Sequence, residues 1–229
     1  MLLKNLQLSN YSLGYAKYRN ILNSFQKEVL LSLFINTKQV LLVYMQQIFS
    51  GNMTSIQNND IETALEVMNH ILTYPFAICY LEFTSEGGSD TNSATFFPEN
   101  WKPYFVDLQY FEGLVRLLDI EDLSIDSKLF AVKNLSKISS CKKSMVPPEL
   151  DQNNVYIQFL LDLPGSIASR VDMKESIYLE EVVDMLERSI NVYGLGKLME
   201  QGQKSEGWIN SLLSITQITI GKHFKVDFS

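Results

Sequence analysis

Histidine and cysteine are scarce: the 229 residues include two of each. The cysteines, Cys79 and Cys141, lie far apart and match no paired-ligand spacing, which excludes a zinc motif or a disulfide framework as the organising principle. Both are expected to serve as small apolar residues near a core, which suits a reducing compartment. The opening "MLLKNLQLSN" lacks the apolar run of a signal peptide, and no run is expected to reach the length of a membrane span. The sequons at Asn10, Asn52 and Asn134 are accordingly taken as chance matches. Basic charge is also lacking. The formal net charge is −7, which argues against a nucleic-acid binder working through a phosphate-neutralising face. Alternating strand patterns are absent apart from "QITIGKHFKVDF", which has no partner.

What the chain does have is apolar content of 46%, enough for a sizeable core, arranged at helical spacing. From Ser24 to Phe49, Phe25, Val29, Leu33, Phe34, Val40, Leu41, Tyr44 and Ile48 crowd two faces. "INTK" could kink this long helix, and Gly51 supplies a left-handed stop. Asp60 is expected to cap a second helix carrying Ile61, Leu65, Met68 and Leu72, closed by Pro75. After a polar loop come Leu108, Phe111, Leu114, Val115 and Leu118, then Ile125, Leu129, Val132 and Ile138. Lysines and Pro147-Pro148 end that pair. A third pair covers about Asn153 to Leu163 and Lys174 to Tyr193, the latter facing inward with Ile177, Val182, Met185, Leu186 and Ile190. "GWINSLLSITQITIG" begins a fourth.

The expected fold class is all-α. The later pairs start near Leu108, Asn153 and Glu206, roughly 45 to 53 residues apart, close to the HEAT and armadillo period. Apolar residues on more than one face of most helices favour a HEAT/armadillo-like α-solenoid of about four helical hairpins, a single segment over residues 1–229 with a flexible polar loop at about 84–95. A compact bundle would show the same helix count.

No chemistry-bearing constellation emerges, so no catalytic, cofactor-binding or metal-binding residue is assigned, no cofactor is expected, and the chain is expected not to be an enzyme. His70 and His223 each stand alone in their segments. "YGLGKLM" has one residue between Gly194 and Gly196, and Leu198 after Lys197, so it fails the phosphate-loop pattern and reads as a glycine-capped helix end. Asp119, Glu121 and Asp122 read as an inter-helix turn that also caps the next helix. Glu180, Glu181 and Asp184 read as a solvated helical face.

The stretch "TSEGGSDTNSATFFPENWKPYF" runs from a glycine- and serine-rich loop into an aromatic cluster. Loops tolerate length cheaply, and Phe96, Phe97, Trp101 and Phe105 are expected to pin the chain back onto the helices.

"FPENWKPYFVDLQYFEGLVRLL", with Pro98, Trp101 and Asp107 in order, resembles a segment of the exportin-four and exportin-seven branch of the karyopherin-β nuclear transport receptors. The preceding "ILTYPF" and the downstream "LFAVKNLSKISSCKKSMV" and "YLEEVVDMLERSINVYGLGKLM" are similar to that branch as well, as is "YRNILNSFQKEVLLSLFINTKQVL" upstream. The resemblance implies a fragment or shortened copy of an export receptor that shuttles between nucleus and cytoplasm. Its expected partners are protein cargo, the GTPase Ran in the full-length receptor, and nucleoporins, without nucleic acid or membrane insertion. It carries over no individual binding residue. The alternative is a helical-repeat scaffold with no transport role.

Overall fold

The computed structural model describes residues 24–51, 55–74, 97–141, 143–172, 176–201 and 203–224. The expected loop at 84–95, Pro75, Cys79 and Phe96 lie outside these residues, as does the end of the chain after 224. Among the described residues the fold is all-α, with no strand.

A π-helical turn (Phe25–Val29) runs without a break into α1 (Leu30–Phe49). α1 stops at Ser50, whose amide donates to Gln46 O (3.1 Å), and Gly51 follows at φ +78°, a conformation glycine adopts without penalty. α2 is Ser55–Leu72. A 3-10 turn (Glu99–Trp101) and the one-turn α3 (Lys102–Phe105) lead into α4 (Leu108–Leu117). α5 is Ile125–Ser139, α6 Pro148–Gln152, α7 Val155–Ala168, α8 Ser176–Tyr193, α9 Leu195–Met199 and α10 Gln203–Phe224.

Local chemistry explains the starts. Asp107, extended at φ −137°, accepts from the Tyr110 amide (3.2 Å) and caps α4; Ser124 does the same for α5 through the Ser127 amide (3.0 Å). Pro148 opens α6, where its missing N–H costs nothing and its fixed φ suits the first helical position. Asn154 precedes α7 at φ +53°, a left-handed value that asparagine tolerates better than most residues.

Helices α1 and α2, α4 and α5, and α7 and α8 pair as hairpins. Each hairpin packs on the next: α2 on α5, α5 on α8, and more lightly α1 on α4 and α4 on α7. α10 lies against α7 and also meets α8. One continuous core follows this order, from Leu30, Phe34 and Leu65 through Phe111, Leu135 and Tyr156 to Met185, Trp208 and Ile215. At the α1–α4 contact a Cβ on Gly113 would come within 2.6 Å of Met45 Sδ, so any larger residue there would require the Met45 side chain to shift.

Polar ties cross the same seams. Asn134 donates from α5 to Leu65 O on α2 (3.1 Å), and Asn58 donates to Asp122 O (3.3 Å). Ser124 Oγ donates to Glu62 Oε2 (2.6 Å). The Lys38 ammonium on α1 meets Asp107 Oδ2 (3.1 Å) and Tyr104 O (2.8 Å). Arg170 reaches back from the end of α7 to Asp119 (2.8 Å).

Several expectations are corrected. Asp60 is not a cap: α2 begins at Ser55, and Asp60 sits inside it. Ile125 and Ile177 do not line the core; each lies in the first turn of its helix, and Ile125 is 76% exposed. The acidic turn does not cap α5, since Ser124 takes that position. The expectation that nothing reaches the length of a membrane span also fails: Phe25–Phe49 is long and apolar enough to cross one, by length and composition alone. Polar residues spaced through "SLFINTKQ" break up the run on paper without lowering its mean hydropathy below that of a span. As for the sequons, Asn134 is fully buried, its amide committed to Leu65 O.

Candidate interaction surface

The residue types that carry chemistry are dispersed. His70 stands exposed on α2, with Glu66 Oε1 one turn away at 3.6 Å. The side chain of His223 lies outside the described residues. Cys141 is buried, its sulfur 3.4 Å from the Tyr156 hydroxyl, which donates to Ile138 O (3.2 Å). Burial pushes the Cys141 thiol up to about 12, against a weaker pull downward from the Tyr156 contact, so at neutral pH it is a protonated core group and not a nucleophile. Among the described residues no three His, Cys, Asp or Glu side chains are grouped to hold a metal ion.

"YGLGKLM" forms the end of α8 and the short α9, with Gly194 at φ +76° between them. Lys197 lies 3.9 Å from Asp151 and over the Tyr193 ring, so its charge is already spent on neighbours.

The two acidic groups differ. Asp119 pairs with Arg170 and Asp122 gives its carbonyl to Asn58, so this turn acts as a joint between helices. Of the three acidic residues expected on α8, Glu180 is exposed while Glu181 and Asp184 are half-buried. Asp184 holds Arg188 (2.7 Å), which reaches Ser136 O on α5 (3.4 Å). The Lys137 ammonium is pulled below the usual lysine range by burial and then by Arg188, while Glu181 and Asp184 oppose the shift. Expecting a solvated face missed this charged seam between α5 and α8. Its members come from helices some 50 residues apart, beyond the reach of any local spacing.

The aromatic joint is built as expected for Phe97, Trp101 and Phe105. Trp101 is fully buried, its ring 5.1 Å from Phe34 and 5.7 Å from Phe97, while Phe105 stacks on Phe34 at 5.8 Å. Its indole N–H donates to Gln26 O in the π-helical turn (3.2 Å). The turn Glu99–Trp101 is therefore fastened to the π-helical turn before α1, and the ring itself has no exposed surface.

What the molecule offers a partner is surface. α1 exposes Leu33, Val40 and Val43, preceded by Val29 at the end of the π-helical turn, and α10 exposes Ile209, Leu212 and Leu213. Between α7 and α10 lies an open groove of about 410 Å³, lined by Gly165, Ala168, Ser169, Ser211 and Ser214 with Val171 and Ile215. Small side chains and the lack of charge suit it to an apolar side chain of a partner more than to a charged metabolite. No known protein family, curated protein or solved structure matches the chain.

Proposed function

We propose that the chain is an α-solenoid segment whose function is to bind folded proteins along its helical surface, with no residue performing chemistry. The observation that supports it most is the order of packing: each hairpin is tied chiefly to the next, as in tandem helical repeats. Such a stack presents a long contour and can flex between free and loaded forms. Its acidic side chains suit basic partner surfaces.

The more specific version of this proposal is an export receptor segment that binds protein cargo and, in a full-length receptor, Ran in its GTP state. The ordered Pro98, Trp101 and Asp107 favour it, and that support is sequence resemblance alone. A pull-down of the 229-residue chain on Ran loaded with GTP or GDP tests it. Selective recovery on the GTP form is expected for a receptor. Equal recovery, or none, leaves the scaffold without nucleotide control as the standing proposal.

A further inference from the structure

The packing sorts the long helices into two layers: α1, α4, α7 and α10 in one, α2, α5 and α8 in the other. In the second layer α5 lies beside α2 and against α4, and α8 lies beside α5 and against α7. Among the described residues no fourth long helix follows in that layer, so the side of α8 away from α5 lies open next to α10. α8 reaches α5 through the Tyr178 hydroxyl, 3.5 Å from Ile125 O, and through Arg188, 3.4 Å from Ser136 O. The exposed side chains described on α8 are Ile177, Glu180, Val183 and Glu187, at steps of three, three and four residues. They form one stripe, and Glu180, Val183 and Glu187 stand across the helix from Tyr178 and Arg188.

α10 flanks this open place. Ile209, Leu212, Leu213 and Thr216 are exposed on the side of α10 opposite Ser211 and Ser214, which line its groove with α7. Glu206 is the sole charge among the described side chains of α10. The order of packing calls for a helix here, because α5 fills the equivalent place beside α2 and α8 the one beside α5. The charge pattern selects which helix. Arg188, the one cation on α8, is held by Asp184 at 2.7 Å, so the charges left exposed around the place are Glu180, Glu187 and Glu206. A second copy of α8 would set these glutamates against their own kind, and an anionic bilayer would meet the same repulsion. Lysines or arginines flanking an apolar stripe would pair with them, as charged residues beside a coiled-coil seam do.

We propose that the place beside α8 and against α10 seats a basic amphipathic helix of a partner protein. Its apolar stripe lies on Val183, Ile209 and Leu212, and its cations turn toward Glu180, Glu187 and Glu206. The proposal rests on the reading of the chain as a protein-binding stack, and it names the chemistry of one partner and where that partner joins.

The test is fluorescence anisotropy of the full chain with two dye-labelled synthetic helices as long as α8, which has 18 residues. One carries leucine on one face and lysine on the other; its control has glutamate for lysine. The leucine–lysine helix is expected to saturate at one per chain and to bind at least about tenfold tighter than the control. Val183→Asp/Ile209→Asp should weaken it at least about tenfold with the circular dichroism spectrum unchanged, since both positions are exposed. Those substitutions add negative charge, so attraction of a cationic peptide to an acidic chain alone would strengthen binding instead. Glu180→Lys/Glu187→Lys should reverse the preference between the two helices. No binding, equal binding of both, or binding that survives Val183→Asp/Ile209→Asp overturns the proposal. So does self-association of the chain in sedimentation velocity that the same pair of substitutions abolishes, which would make a second copy the occupant. The Ran pull-down is independent of this seat, so failure here leaves the broader protein-binding reading to its own test.

Discussion

Replacing Trp101 by alanine is the sharpest probe of how this fold holds together. The indole is fully buried against Phe34 and Phe97, and it joins the turn Glu99–Trp101 to α1 and the π-helical turn before it. Removing a buried tryptophan costs about 3–5 kcal/mol, from lost transfer energy and the cavity left behind. The lost bond to Gln26 O contributes about 0.5–1.5 kcal/mol of that total. For a chain of this size each kcal/mol lowers the melting temperature by about 2–4 °C, so Trp101→Ala should melt roughly 6–20 °C lower. Trp101→Phe keeps most of the ring and loses the donor, for an expected cost of about 1–2 kcal/mol. Leu213→Ala, on the exposed face of α10, should stay within about 0.5 kcal/mol of wild type. The readout is thermal melting followed by ellipticity at the helical band. If Trp101→Ala melts with the wild-type chain, the aromatic cluster is not an anchor and the explanation of the joint fails.

Asp107 both caps α4 and neutralises Lys38, so Asp107→Ala should cost about 2–3 kcal/mol in urea unfolding, whereas Asp107→Asn, which keeps the cap, should cost about half as much; equal losses would show that the cap adds nothing beyond the ion pair. Burial raises the ionisation of Cys141, Tyr110, Tyr156 and Tyr193, reinforced for Tyr110 by Asp107. Each is an acid whose folded value lies above its ordinary one, near 8.5 for the thiol and 10 for the phenols. Their contribution to stability is thus whole below about pH 8.5 and is lost as pH rises toward 12 and beyond. An absorbance titration of phenolate should show these three tyrosines ionising only together with alkaline unfolding; ionisation with helicity intact would contradict their burial.

The parts of the fold legible in the sequence are those governed by neighbours along the chain. Apolar spacing marks α4 and α5 almost to the residue, and Gly51 and Gly194 end helices at positive φ, as glycine permits. The polar pairs across seams were not legible. Lys38 meets Asp107, Glu62 meets Ser124, and Asn134 meets Leu65 O, each more than 60 residues apart. In the sequence each reads as one more polar helix residue. The misplaced start of α2 has the same cause: the polar stretch before Ile61 resembles a loop, yet Asn58 in that stretch is held in helix by Asp122 O, on a turn that packs beside it. Tertiary contact there overrides a local preference for capping at Asp60.

Those cross-seam pairs also bear on how the hairpins keep their register. Apolar helix faces packed ridge into groove tolerate several crossing angles at similar energy, so a core of leucines alone would let one hairpin slide on the next. A buried amide cannot slide: Asn134 moved one turn along α2 would lose Leu65 O and leave a donor unsatisfied, at about 1–3 kcal/mol. The Tyr156 hydroxyl on Ile138 O and the Arg188 guanidinium on Ser136 O lock the later seams in the same way. Each lock uses a backbone carbonyl as acceptor, so it fixes register while leaving side chains on the outer faces free to vary. The relative setting of the hairpins is then fixed by a handful of polar donors, while the outer faces are left free to vary.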